Sequence, residues 1–116
     1  SKKLARKYDE NNKVIEEVWY ESDVIVAKNF YEYSNNYKKL KFKNFNNNDS
    51  LKNISIDRYD DKGNLIEMKN YDSEKNLKDS QEYIYTYDKK GNWIRIEEYR
   101  NKTPYSITER EILYYD

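Results

Sequence analysis

Asp57 and Glu67 are a pair of carboxylates that a simple hairpin register sets face to face. Two acids opposed across a cleft are what glycoside hydrolysis requires. The adjacent pairs Glu16/Glu17, Asp60/Asp61 and Glu97/Glu98 do not qualify, because neighbours within a strand point to opposite faces. A solvated like-charge pair, or one with a lysine between, is the plainer reading of Asp57 and Glu67. Histidine and cysteine are absent, which removes Ser-His-Asp and Cys-His nucleophiles and ordinary zinc sites. Asp72-Ser73-Glu74-Lys75-Asn76 starts like a calcium loop, but Leu77 replaces the glycine and Tyr83 the closing glutamate that such a loop needs. It reads as a polar hairpin loop. No catalytic residue, metal site or cofactor is expected.

The elements that would carry such groups follow from a repeat. Tyr8, Tyr33, Tyr59, Tyr87 and Tyr115 are spaced by 25, 26, 28 and 28 residues, and Tyr20, Phe45, Tyr71 and Tyr99 each follow an anchor by 12. A constant half-period beside a variable one implies a fixed hairpin arm and a loop that tolerates insertion. The repeat units are approximately 8–32, 33–58, 59–86 and 87–114, within one domain spanning 1–116. After Tyr59 and Tyr87 the order Asp-x-x-Gly recurs, ending at Gly63 and Gly91. This is the chemistry of a type I turn closed by a left-handed residue. Asn12 fills that slot in the first unit; Ser34-Asn35-Asn36-Tyr37 is the degenerate copy.

Counting back from these turns pairs Tyr59 with Leu65, Ile56 with Met68, Tyr8 with Val14, Tyr87 with Trp93, Phe30 with Phe42 and Ile84 with Ile96. Nine antiparallel strands result, at about 2–8, 13–20, 24–33, 38–45, 51–59, 64–71, 80–87, 92–99 and 105–115. One face is expected to be aliphatic, with Ala5, Phe30, Ile56, Ile84 and Ile112 joined by Phe42, Met68 and Ile96. The other is expected to carry the anchor tyrosines, Tyr31, Tyr85 and Trp93 among Lys41, Glu67, Lys69 and Arg95, with Tyr85–Arg95 and Tyr31–Lys41 as facing pairs. The fold class is therefore all-β, a meander whose aliphatic side should curl inward as an open barrel or spiral sheet.

Composition narrows the functional classes. Lys+Arg and Asp+Glu number 22 each, so no basic excess supports a dedicated nucleic-acid binder. No apolar run approaches the ~18 residues of a membrane helix. Hydrophobic residues are 36% of the chain, yet 14 tyrosines and two tryptophans give it large, amphipathic rings to bury. Tyr59, Tyr85, Tyr87, Trp93 and Arg95 form the candidate ligand-binding face, since such rings suit protein hot spots and, by the same physics, sugar rings.

The strings Tyr85-Thr86-Tyr87-Asp88-Lys89-Lys90-Gly91-Asn92-Trp93 and Arg58-Tyr59-Asp60-Asp61-Lys62-Gly63-Asn64-Leu65 resemble the YD repeat of rearrangement-hotspot (RHS) proteins. That family carries Tyr-x-Tyr-Asp-x-x-Gly-Asn/Arg-Leu. The resemblance implies β-hairpin strips acting as shell or scaffold in secreted or surface-attached bacterial polypeptides. The expected function is a non-catalytic structural or protein-interaction module, located in the secreted, periplasmic or cell-surface space. A carbohydrate-binding module using the Tyr/Trp-rich face is the alternative. Expected partners are a protein or further repeats of the same polypeptide, with a glycan under the alternative and no nucleic acid. The open edges also suggest homo-oligomers through edge strands.

Overall fold

The computed structural model describes residues 1–34 and 39–115, with only the backbone of Lys39. Nine strands form one antiparallel sheet in chain order: β1 (Lys2–Tyr8), β2 (Val14–Glu21), β3 (Val24–Tyr33), β4 (Lys39–Asn46), β5 (Leu51–Tyr59), β6 (Leu65–Tyr71), β7 (Leu77–Tyr87), β8 (Trp93–Arg100) and β9 (Thr103–Glu109). The all-β meander expected from the sequence is present, and no described residue is helical.

The turns explain why the chain reverses where it does. At Asp9, Asn46, Asp60, Asp72 and Asp88 the side-chain Oδ1 accepts backbone N–H bonds from the residues two and four further on, at 2.8–3.0 Å. The same residues' carbonyls accept the N–H three residues on. That donor has positive φ in every case: Asn12 62°, Asp49 59°, Gly63 83°, Lys75 66° and Gly91 84°. The loop at Asp72, whose first letters mimic a calcium loop, is thus one more copy of the hairpin turn. Ser22/Asp23 and Asn101/Lys102 instead form two-residue turns with both φ positive (50°/67° and 51°/65°), whose twist matches that of the flanking strands. The expected turn at 34–37 lies mostly outside the described residues.

Beside each turn the register steps by one. Tyr59 pairs with Leu65 and Tyr87 with Trp93, as expected, but Arg58 pairs with Glu67 and Thr86 with Arg95. Ile66 and Ile94 are left without an opposite number. Ile15 and Leu40 hold the same position in the earlier hairpins, and Val26, Lys52, Lys78 and Tyr105 at the opposite rim. One extra residue in a two-period structure moves everything beyond it to the other face. The expected pairs Ile56–Met68, Phe30–Phe42, Ile84–Ile96, Tyr85–Arg95 and Tyr31–Lys41 are therefore each one residue out. Ile56 pairs with Lys69, Phe30 with Lys43, Ile84 with Glu97, Tyr85 with Ile96 and Tyr31 with Phe42.

This step also overturns the segregation of aliphatic from aromatic. One face, here the amide face, joins Tyr31, Phe42, Met68, Tyr85 and Ile96 to rows of amides such as Asn29–Asn44–Asn53 and Ser55–Asn70–Asp79. Its amides bond across strands: Asn44 Nδ2 donates to Asn29 Oδ1 at 2.5 Å and Asn70 Nδ2 to Asp79 Oδ1 at 2.6 Å. The opposite, ionic face alternates Phe30, Phe45, Ile54, Ile56 and Ile84 with lysine, arginine and glutamate. Ile54, at 8% exposure, is the one buried hydrophobic side chain among the described residues.

The sheet is a single open layer. Every strand contacts only its sequence neighbours, and β1 does not meet β9. Its Cα radius of gyration is 18.3 Å, against about 13 Å for a compact domain of this length. Each hairpin thus depends on adjoining hairpins, as in a solenoid. No helix long and apolar enough to cross a membrane occurs among the described residues.

Candidate functional site

The anchors Tyr8, Tyr33, Tyr59 and Tyr87 end β1, β3, β5 and β7 at one rim; alternation along each strand sets them all on the amide face. Tyr20, Phe45, Tyr71 and Tyr99 are the last or last-but-one residues of the even strands at the other rim, on the ionic face. The 12-residue spacing is thus the distance between opposite rims.

At the first rim, consecutive hairpins separate. The β6/β7 ladder stops at Glu67–Glu82, so the Leu65 carbonyl lies beyond its last strand partner. Tyr85 Oη donates to it at 2.8 Å. Tyr87 Oη donates to Asp60 Oδ2 and accepts from Asn64 Nδ2 at 2.9 Å, while Lys62 Nζ stands 5.0 Å from the Tyr87 ring centre. Tyr85 and Tyr87 stack, with ring centres 5.9 Å apart. The chain after β9 repeats the arrangement. Tyr114 Oη donates to Asp88, Asn92 Nδ2 donates to Tyr114 Oη at 2.8 Å, and Lys90 Nζ lies 4.1 Å over the Tyr114 ring. Arg110 Nε fills the role of Tyr85, donating to the Trp93 carbonyl at 2.6 Å and covering the Trp93 ring at 3.7 Å. Between β2 and β3, Tyr33 Oη donates to the Val14 carbonyl at 2.6 Å. Side chains thus bridge hairpins where the backbone ladder cannot.

These contacts shift the ionisations. Burial pushes Tyr87 up, and its bond to Asp60 adds to that; burial likewise raises Tyr85. Burial would raise Asp60, but the Tyr87 hydroxyl and the Asn64 and Lys62 N–H groups outweigh it and hold the carboxyl below its usual range. Asp88 is held down chiefly by Tyr114. Glu17, 7% exposed on the amide face, receives Arg6 Nε at 2.9 Å, Tyr31 Oη at 2.6 Å and Asn29 Nδ2 at 3.3 Å. Burial raises its pKa, but those three donors overcome that and lower it. Tyr31 is raised, by burial first and by Glu17 second.

Of the five residues proposed as a ligand face, Tyr59, Tyr85, Tyr87 and Trp93 share the amide face at the first rim. Arg95 pairs with Thr86 on the ionic face, where it bonds Glu109 at 2.6 Å. A cleft of about 360 Å³ between β6 and β7 is lined by Tyr85, Tyr87, Asp60, Arg58 and Glu82. The candidate acid pair is not assembled: Asp57, 5% exposed, faces Met68, whereas Glu67 faces Arg58 on the opposite side of the sheet. The bulge at Ile66 is the reason. The expected ninth strand to residue 115 ends at Glu109, and the last anchoring role falls to Tyr114, leaving Tyr115 90% exposed. Arg110 and Tyr114 lie outside the residues expected from the sequence. Their signal was the distance from Asp88 to Tyr114, 26 residues, against 27 from Asp60 to Tyr87.

No family model matches this chain, and no curated protein matches it.

Proposed function

We propose that the chain is a non-catalytic structural or protein-interaction β-repeat module, of the YD-repeat type, from a secreted or surface-exposed bacterial protein. The observation that carries this reading is the recurrent lock in which a tyrosine hydroxyl closes onto the Asp and Asn of the preceding Asp-x-x-Gly-Asn turn, at Tyr87 and again at Tyr114. A catalytic constellation is a single set of residues, whereas a lock that recurs along the chain serves the architecture. The Tyr85, Tyr87 and Tyr114 hydroxyls are engaged inside the fold. Two copies joined through a turn copied from residues 88–92 should melt in one transition, above the melting temperature of a single copy, as nearest-neighbour coupling requires. Two copies melting independently at the single-copy temperature would contradict the module reading.

The cleft between β6 and β7, to whose lining the stacked Tyr85 and Tyr87 contribute beside Asp60, favours carbohydrate binding as a second reading. Glycan-array binding that Tyr85→Ala abolishes, with circular dichroism unchanged, would support it; silence across the array would remove it.

A further inference from the structure

The ionic face is electrically divided along the strand order. Its β1–β4 half carries Lys3, Lys7, Lys28, Lys41 and Lys43 against Glu16 and Glu32. Its β6–β9 half carries Glu67, Glu82, Glu97 and Glu109 against Lys69 and Arg95. Some of these groups make no ion pair within one copy. Among the described residues Lys41, Lys43 and Glu82 have no ion-pair partner, and Glu82 sits directly opposite another carboxylate, Glu67. Like charges facing across a ladder destabilise it; Arg58 at 3.3 Å and Lys69 at 3.7 Å already pair with Glu67, so among the described residues Glu82 is the carboxylate of the two left without a cation.

The same face leaves apolar surface in water. Two adjoining hollows of about 300 and 370 Å³ share Lys41, Lys43 and Phe45, with Phe30, Ile54 and Ile56 around them. On the acidic half Ile84 is 50% and Ile107 58% exposed. The amide face differs, since its central polar groups bond to one another across strands.

We propose that the ionic face is the interface of a face-to-face homodimer, in which a second copy packs with its strand order reversed. A twofold axis parallel to the strands lays the β1–β4 half of one copy over the β6–β9 half of the other. Lysines then meet glutamates, and the phenylalanine and isoleucine side chains close into a two-layer core about 10 Å thick. The sheet measures 59 by 34 Å in its two larger extents, ample for the roughly 800 Å² per partner of a standard stable interface. The proposal stands apart from the module reading, which depends on the locks at the first rim and not on this face.

Charge reversal tests it. Sedimentation equilibrium of the unaltered chain should give a dimer. Lys41→Glu/Lys43→Glu makes the whole face acidic and Glu82→Lys/Glu97→Lys makes it basic. Each variant alone should be a monomer with unchanged β-sheet circular dichroism, its self-affinity weakened tenfold or more. Mixed in equal amounts, the two should form a one-to-one heterodimer. An unaltered chain that sediments as a monomer would overturn the proposal. So would a dimer that both variants retain, which would place the contact at the β1 or β9 edge. Failure of the mixture to associate after both homodimers are lost would overturn it too.

Discussion

The turns at 60–64 and 72–76 sit at opposite ends of β6 and share the same backbone and Asp-to-backbone hydrogen bonds, yet Gly63 holds the left-handed position in one and Lys75 in the other. The difference teaches that the leading Asx, rather than the glycine, sets the hairpin geometry. Lysine endures the strained φ because Asp72 supplies both acceptor bonds locally. Glycine appears instead where a later tyrosine locks onto the turn. Among the described residues Asp60 and Asp88, the two turns with a glycine, are the two whose second carboxylate oxygen takes a tyrosine from further along the chain. A Cβ on Gly91 would stand 3.3 Å from Lys62 Nζ, so that corner is crowded by the preceding turn's lysine.

Removing the leading acids should separate the two turns most. Asp60→Ala removes the acceptor of two backbone N–H bonds and the Tyr87 lock, and should cost about 2–3 kcal/mol in urea unfolding, whereas Asp72→Ala should cost about 1 kcal/mol. Equal losses would mean that the lock adds nothing. Tyr87→Phe, which leaves the turn intact, should account for about 1–2 kcal/mol of that gap.

Acid should weaken the locked turn. Asp60 and Glu17 have folded pKa values below their unfolded ones. Their contribution is therefore complete above the unfolded value and disappears as pH falls through the folded value. Urea midpoints should hold steady from neutral pH to the ordinary carboxylate range and drop below it. Asp60→Asn should flatten that limb. At the alkaline end, Tyr31, Tyr85 and Tyr87 have raised pKa values, so their contribution persists below the unfolded phenol value and is lost as pH rises through the folded values. The smallest change expected is a gain: Lys75→Gly should stabilise by about 0.5–1 kcal/mol by relieving the left-handed strain. Gly63→Lys should do the reverse by at least as much.

Much of the sheet was legible because turns and strands speak separately. Tyr-Asx steps marked the rims, and the strand bounds agree to within a few residues except at two places. β7 begins at Leu77 rather than 80, because the Asp72 loop is a tight turn whose glycine slot holds an uninformative lysine. β9 stops at Glu109, where Arg110 turns to the Trp93 carbonyl. The register differs from the expected one by the bulge beside each turn, although its signal is present in the sequence. Val14-Ile15, Leu65-Ile66 and Trp93-Ile94 put two apolar residues side by side just after a turn, a break in alternation that a bulge resolves. Without that step the Asp57–Glu67 pair looked possible, and Tyr85 looked opposite Arg95. Residue type and turn spacing single out Tyr59, Tyr85, Tyr87 and Trp93, but the bonds that Tyr85 and Tyr87 make to the preceding hairpin depend on how the hairpins separate at the rim, which no single-strand pattern encodes.

Cross-strand backbone nuclear Overhauser contacts across β5/β6 and β7/β8 test the one-residue step most directly. Tyr59 should contact Leu65, and beyond it Asp57 should contact Met68 and Ile56 should contact Lys69, with Tyr85 opposite Ile96. Contacts pairing Asp57 with Glu67 and Ile84 with Ile96 would show an unbulged ladder and would return the two candidate carboxylates to one face.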